Sequence, residues 1–228
     1  MSVQSISPGA VLARIWDLYR DQFSVLVSTA VALYAIQFVF TLLLSTAAAF
    51  ALGILFWALA ILYQGMVVEL VKDVQDGHRD HSVRGLIRSV EPVFWPLAAV
   101  SILVGLGVAV GFILLIIPGL ILMVIWSVVA PVTVLERPGV FAAFGRSREL
   151  VRGNGWNVFG VIVVVFLSVV VVSVAAGLLA GSLGSVGRAL VQWALDSALA
   201  PITALSASVL YFALRGGPDV TPASPSVP

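Results

Sequence analysis

Three long apolar runs dominate the chain, and a short polar stretch of helical period precedes each. No charged residue lies between Asp21 and Glu69 or within 92–135, and 157–214 holds only Arg188 and Asp196. The first two runs contain 47 and 44 residues. As helix, the first measures about 70 Å, roughly twice a ~30 Å hydrocarbon core, so each run reads as a hairpin of two spans. The first run turns near Ser45-Thr46-Ala47. The second breaks at Ile117-Pro118-Gly119, where Pro ends one helix and Gly eases the turn. The third breaks in the Gly- and Ser-rich stretch 181–187. The pattern predicts an all-α integral membrane fold of six transmembrane helices, arranged as three hairpins, each preceded by an amphipathic interfacial helix.

The three amphipathic stretches resemble one another. In the first, Val11, Leu12, Ile15, Trp16, Tyr19 and Phe23 oppose Arg14, Asp17 and Asp21. In the second, Val83, Leu86, Ile87, Val90 and Phe94 oppose Arg84, Arg88 and Glu91. In the third, Phe141, Phe144 and Val151 oppose Arg146, Glu149 and Arg152. Arg14, Asp17, Leu18 and Arg20 match Arg146, Glu149, Leu150 and Arg152 as Arg-x-x-acid-Leu-x-Arg, with Pro8-Gly9 and Pro138-Gly139 ahead of them. The middle copy matches least well. One domain, 1–215, is expected to contain three parallel repeats over about 8–72, 82–135 and 138–215, followed by a disordered Pro/Ser-rich tail, 216–228. The basic faces, which carry Arg14, Arg20, Arg84, Arg88, Arg146, Arg148 and Arg152, fit anchors lying on anionic lipid headgroups, with the aromatics buried below. A cytoplasmic ring that gates or docks a partner is the sharper alternative.

Composition agrees with lipid as the solvent. Of 228 residues 61% are hydrophobic and 10% charged, and mean hydropathy is +1.12, whereas a soluble domain carries roughly 25% charged residues. A net charge of +1 argues against a nucleic-acid partner. There is no cysteine, which removes disulfides and thiol chemistry. Met1 to Gly9 lacks a basic region, and Arg14, Asp17, Arg20 and Asp21 interrupt any signal-like core, so no cleaved leader is expected. With six spans, 11 of the 12 Lys and Arg residues share a side with both termini and only Arg188 lies opposite. That asymmetry predicts a multi-pass protein of the bacterial cytoplasmic membrane with both termini in the cytoplasm.

Candidate chemistry centres on span six. Arg188, Gln192, Asp196, Thr203 and Ser206 fall on one side of that helix. An intramembrane carboxylate is expensive and faces protein or water, so this stripe is a candidate binding path; the plainer account is an Asp196 protonated or paired with Arg188. Tyr34, Gln37, Thr41 and Ser45 form a similar stripe on span one, of the kind that bonds across helices. Gly107 and Gly111, and Ser173, Gly177 and Gly181, have small-residue spacing suited to close packing within the bundle or across a dimer. Asp76, His78, Asp80 and His81 cluster in one loop, and a solvated loop explains them better than a metal site. Glu69 and Glu136 each have a basic neighbour, Lys72 or Arg137, sufficient for a structural pair. No span pairs a nucleophile with a base, and no cofactor motif is present.

The segment holding Ile117-Pro118-Gly119, Trp126, Pro131 and Glu136, continued by Arg146-Ser147-Arg148-Glu149-Leu150-Val151-Arg152 and Trp156, resembles the membrane domain attached to some bacterial glycerophosphoryl diester phosphodiesterases and related stand-alone six-span proteins. The closing Tyr211-Phe212-Ala213-Leu214-Arg215 is similar to the end of such domains. The resemblance implies a membrane module without the phosphodiesterase reaction, which belongs to a separate soluble domain, and brings no catalytic residues. The sequence thus points to a non-catalytic accessory or scaffold module, acting with lipid, a membrane protein partner or a second copy of itself. A transporter of a small solute or lipid-derived molecule, using a polar path near Asp196, is the alternative.

Overall fold

The computed structural model describes residues 6–43, 46–77 and 83–216, and among them it is helical apart from short turns. Three amphipathic helices, α1 (Pro8–Asp21), α4 (Val83–Val90) and α8 (Val140–Val151), precede the three hairpins. The first hairpin is α2 (Phe23–Leu43) and α3 (Thr46–Gln75). The second is α5 (Phe94–Leu114), entered through a 3₁₀ turn at Glu91–Val93, followed by α6 (Ile116–Ile125) and α7 (Val129–Leu135). The third is α9 (Gly155–Ala180) and α10 (Ser185–Leu214). Six stretches are long and apolar enough to cross a membrane, with α6 and α7 together forming the fourth. The cluster His78, Asp80 and His81 and the tail beyond Gly216 lie outside the described residues.

The second helix of each hairpin is the inner one. Half of the positions in spans two and six are buried (50% each) and 39% in span four, against 17%, 22% and 17% in spans one, three and five. The inner helices α3, α7 and α10 pack on one another, while α2 and α9 lie against α10 and α5 lies against α3 and span four. The core sits toward the side bearing the termini, where 61–71, 128–134 and 204–213 supply most of its inner-helix side chains. Large exposed apolar side chains occur at Ile36, Val39, Leu55 and Trp57 and through 102–121 and 164–190, the natural lipid-facing belt. Each outer helix opens on an exposed aromatic, Phe23, Trp95 and Trp156, as expected of an interfacial belt.

Two details differ from the sequence reading. The break between spans three and four falls at Leu115, which is extended (φ −163°, ψ 150°), and not at Ile117-Pro118-Gly119. Pro118 is instead the third residue of α6, where a helix has no use for its N–H. Span four is also not one helix. It stops at Ile125, turns through 126–128 and resumes at Val129, with Pro131 again the third residue of the new helix. Pro131 cannot donate to Ser127, so an unbroken helix would lose that hydrogen bond and crowd the ring against the preceding turn.

Gly107 and Gly111 serve close packing within the bundle. A Cβ on Gly111 would meet the Gly119 Cα at 2.9 Å, and one on Gly107 would collide with the Trp126 ring. Gly177, by contrast, has nothing within 4 Å. Of the residues expected to bury on α1, Val11 and Ile15 do so together with Leu18, whereas Trp16 and Phe23 are exposed. On α8 the buried face is Ala143, Ser147 and Val151, while Phe141 is exposed.

Candidate functional site

The break in span four leaves backbone groups that must be satisfied away from water. Val129 N–H, the normal helical donor to the Ile125 carbonyl, bonds Trp126 instead (3.2 Å). The vacated Ile125 carbonyl accepts from the Ser147 hydroxyl at 2.8 Å. Ser147 lies on α8 and is completely buried, so α8 packs into the bundle at the break instead of lying on headgroups alone. Helix α1 does something related for span six. Pro201 withholds the N–H that Ser197 would accept within α10, and the Tyr19 hydroxyl donates to the adjacent Ala198 carbonyl at 3.3 Å. Irregular backbone at membrane depth is tolerated only where protein or a wet cavity supplies partners.

A cavity of about 490 Å³ opens beside the break. Its polar lining comes from Gln64 on α3, Ser101 on α5, Ser127 in the turn, and Thr203 and Ser206 on α10, against Trp126. The size is that of a small-molecule site. Ser101, Thr203 and Ser206 donate to carbonyls of their own helices, of Leu97, Ala200 and Thr203 respectively. Their remaining lone pairs are free to accept. The Ser127 hydroxyl is buried and has no hydrogen-bond partner among the described residues. No charged side chain lines the cavity, and exposed Gly105 and Thr203 mark its lateral opening. The chemistry offered is amide and hydroxyl hydrogen bonding beside an indole, which suits an uncharged, hydroxyl-bearing molecule.

The span-six stripe is divided between two spaces. Thr203 and Ser206 face this cavity. Gln192 and Asp196 face a separate pocket of about 50 Å³, shared with Tyr34, Gln37, Phe38 and Trp193, with room for about three waters. The Gln192 amide donates to Asp196 Oδ1 at 2.9 Å. Arg188 is exposed in the first turn of α10, two turns away, so the pairing of Asp196 with Arg188 is replaced by the Gln192 contact. The Trp193 indole N–H is buried and has no acceptor among the described residues.

The terminus-side ends of the inner helices meet in a charge cluster. Arg146 Nε donates to Glu136 Oε2 at 2.8 Å, Tyr211 donates to Glu136 Oε1 at 2.9 Å, and Arg215 donates to the Tyr211 hydroxyl at 2.9 Å. Arg146 also reaches Glu149 at 3.4 Å. Glu136 is therefore held by Arg146 and not by its neighbour Arg137, whose Nε donates to the Val134 carbonyl. Burial alone raises the Glu136 carboxyl, but the hydrogen bonds from Arg146 and Tyr211 and the charges of Arg146 and Arg215 outweigh it, holding the group below its ordinary value. The hydrogen bond and charge of Glu136, with a further contribution from Glu149, in turn raise Arg146. Glu69, buried at the end of α3, pairs with Lys72 at 3.7 Å as expected.

Of the remaining basic residues, Arg20, Arg88, Arg148 and Arg152 are exposed and Arg14 is half-buried; the Arg84 side chain lies outside the described residues. Gln64, Ser101 and Ser127 were not legible as site residues. The signal available was Pro131, which marks the break that Ser127 occupies, and a lone amide within the long apolar span of α3.

Over 94 residues the chain is 34% identical to a UPF0259 membrane protein of Pectobacterium carotovorum subsp. carotovorum (strain PC1). It is similar to a membrane protein. The match covers 41% of this chain and 37% of the relative, so the chain spans well under half of the curated protein it matches. No family model and no solved structure matches the chain. The relative points to a different membrane family and overturns the resemblance to the phosphodiesterase-type membrane domain. The motifs that carried the resemblance have local causes: Pro118 and Pro131 start helices, and Glu136 and Arg146 form an ion pair. Six candidate spans and this relative make the chain a multi-pass membrane protein.

Proposed function

We propose that this chain is a non-catalytic protein of the bacterial cytoplasmic membrane, with both termini in the cytoplasm, that takes a small, uncharged, hydroxyl-bearing solute or lipid-derived molecule into the cavity beside span four. The observation that carries this reading is the broken span, whose turn residue Ser127 lines a 490 Å³ cavity together with Gln64, Ser101, Thr203 and Ser206. Discontinuous helices near the middle of a bundle are a recurrent way of building solute sites in membrane proteins. The path moves away from Asp196, whose pocket of about 50 Å³ is lined by a different set of residues. The accessory-module reading keeps one support, the exposed apolar faces of the outer helices, which lipid alone also explains.

The natural absence of cysteine makes the test direct. Single variants Gln64→Cys, Ser127→Cys and Thr203→Cys, in membrane vesicles, are exposed to a small water-soluble thiol reagent, with lipid-facing Val171→Cys as control. Labelling at the three cavity positions, slowed by the uncharged polyol glycerol and absent at position 171, is the expected result. Cavity positions that label no faster than position 171 would sink the proposal. Asp196→Asn is expected to leave the pattern unchanged.

A further inference from the structure

A second, larger recess lies outside the bundle. Between α6 and the start of α9 runs an apolar groove of about 690 Å³, walled by Ile117, Ile121 and Val124 on one side and Phe159 on the other. Ile117, Ile121 and Trp156 are 69%, 53% and 85% exposed, so the groove is open sideways, where the bilayer lies. Along α6 it covers eight residue steps, about 12 Å. Its terminus-side end is closed by the polar loop Gly153-Asn154-Gly155 and by Asn157. The loop follows directly on Arg152, the exposed residue that caps α8, whose N–H bonds the carbonyl of exposed Arg148 in the last turn of that helix. No ion pair to either guanidinium occurs among the described residues, in contrast to Arg146. The groove therefore offers an apolar channel toward the membrane interior with two uncompensated positive charges near its interfacial end.

We propose that this groove is a specific site for an anionic glycerophospholipid of the leaflet on the termini side. One acyl chain lies between α6 and α9, and the phosphate is held by Arg148 and Arg152. Charge complementarity selects the headgroup: a net-neutral phosphatidylcholine carries a choline cation that offsets its phosphate, whereas phosphatidylglycerol presents an uncompensated charge. The Trp156 indole stands at the rim, as aromatic residues do at headgroup level. The site is separate from the cavity beside span four, and its failure leaves the reading of that cavity untouched.

The test uses the full chain in nanodiscs of phosphatidylcholine with a minority of phosphatidylglycerol, and native mass spectrometry of the lipids that stay bound on release. Wild type should retain phosphatidylglycerol enriched several-fold over its share of the bilayer. Arg148→Gln/Arg152→Gln should lose the enrichment, and Arg88→Gln, at an exposed position of α4, should keep it. Ile121→Trp, which fills the groove from an exposed position, should remove the retained lipid of both classes. This variant reads the site independently should the double variant fail to fold. Retention in proportion to the bilayer composition, enrichment that survives the double variant, or an equal loss in Arg88→Gln would each reduce the groove to ordinary annular lipid and overturn the proposal.

Discussion

Ser147→Ala removes one hydroxyl and isolates the role of α8. In the native chain that hydroxyl donates to the Ile125 carbonyl at 2.8 Å, from a side chain with no exposure. The carbonyl has no helical donor in reserve, because Val129 N–H is already committed to Trp126. The variant therefore leaves a part-buried acceptor without its hydroxyl donor, at a cost toward the low end of about 1–3 kcal/mol. Truncation removes only a single oxygen, so the cavity term is small beside it. Ser168→Ala is the matched control, since its hydroxyl is exposed and bonds its own helix at Val164; it should stay within about 0.5 kcal/mol of wild type. Both variants are purified in the same detergent and unfolded by heat, with helix content as the readout. Helix α8 should also loosen in the variant, so the Ser127→Cys label should react faster when combined with Ser147→Ala. Equal stability of the two alanine variants, with unchanged labelling, would mean that α8 rests on the surface and does not hold the break closed.

Glu136 predicts an acid limit. Its carboxyl is held below the ordinary value of 4.5, so the stability it confers is complete above that value and is lost as pH falls through the lower, folded one. Glu136→Gln should lower the melting temperature at pH 7 and abolish the acid-dependent part of a melting curve run against pH. The exposure of Arg146 (38% of its side chain) holds the effect toward the low end of about 1.5–3 kcal/mol for charged hydrogen bonds. Gly111→Ala should cost about 1–3 kcal/mol, because the new methyl meets the Gly119 backbone, which can yield only by separating α5 from α6. Gly105→Ala, with nothing within 4 Å on the same helix, should be neutral or mildly stabilising in the same thermal assay.

The architecture was legible because charge and length alone constrain it. Uncharged runs of 47 and 44 residues admit few arrangements other than hairpins, and the amphipathic periods of α1 and α8 locate their helices. What the pattern hid is which side chains meet. Ser147 sits between Arg146 and Arg148 and reads as part of a solvated face, yet it is the most buried position of its turn. Hydropathy averages across Trp126-Ser127-Val128 without registering a break, and only the chemistry of Pro131 betrays it. The span-six stripe is sound as a helical face. Periodicity cannot tell that Asp196 looks toward α2 while Thr203, seven residues on, looks toward α3 and α5.

Helix α10 touches α1, α2, α3, α7, α8 and α9. Among the described residues it is the last helix in sequence, and α1 and α2, its partners, are the first two. During synthesis the opening helices therefore precede a neighbour that begins at Ser185, 162 residues after Phe23. Until then Tyr19 has no Ala198 carbonyl to meet, and Glu136 lacks Tyr211. Insertion can proceed hairpin by hairpin, but α1 and α2 meet this packing partner only once span six is in place.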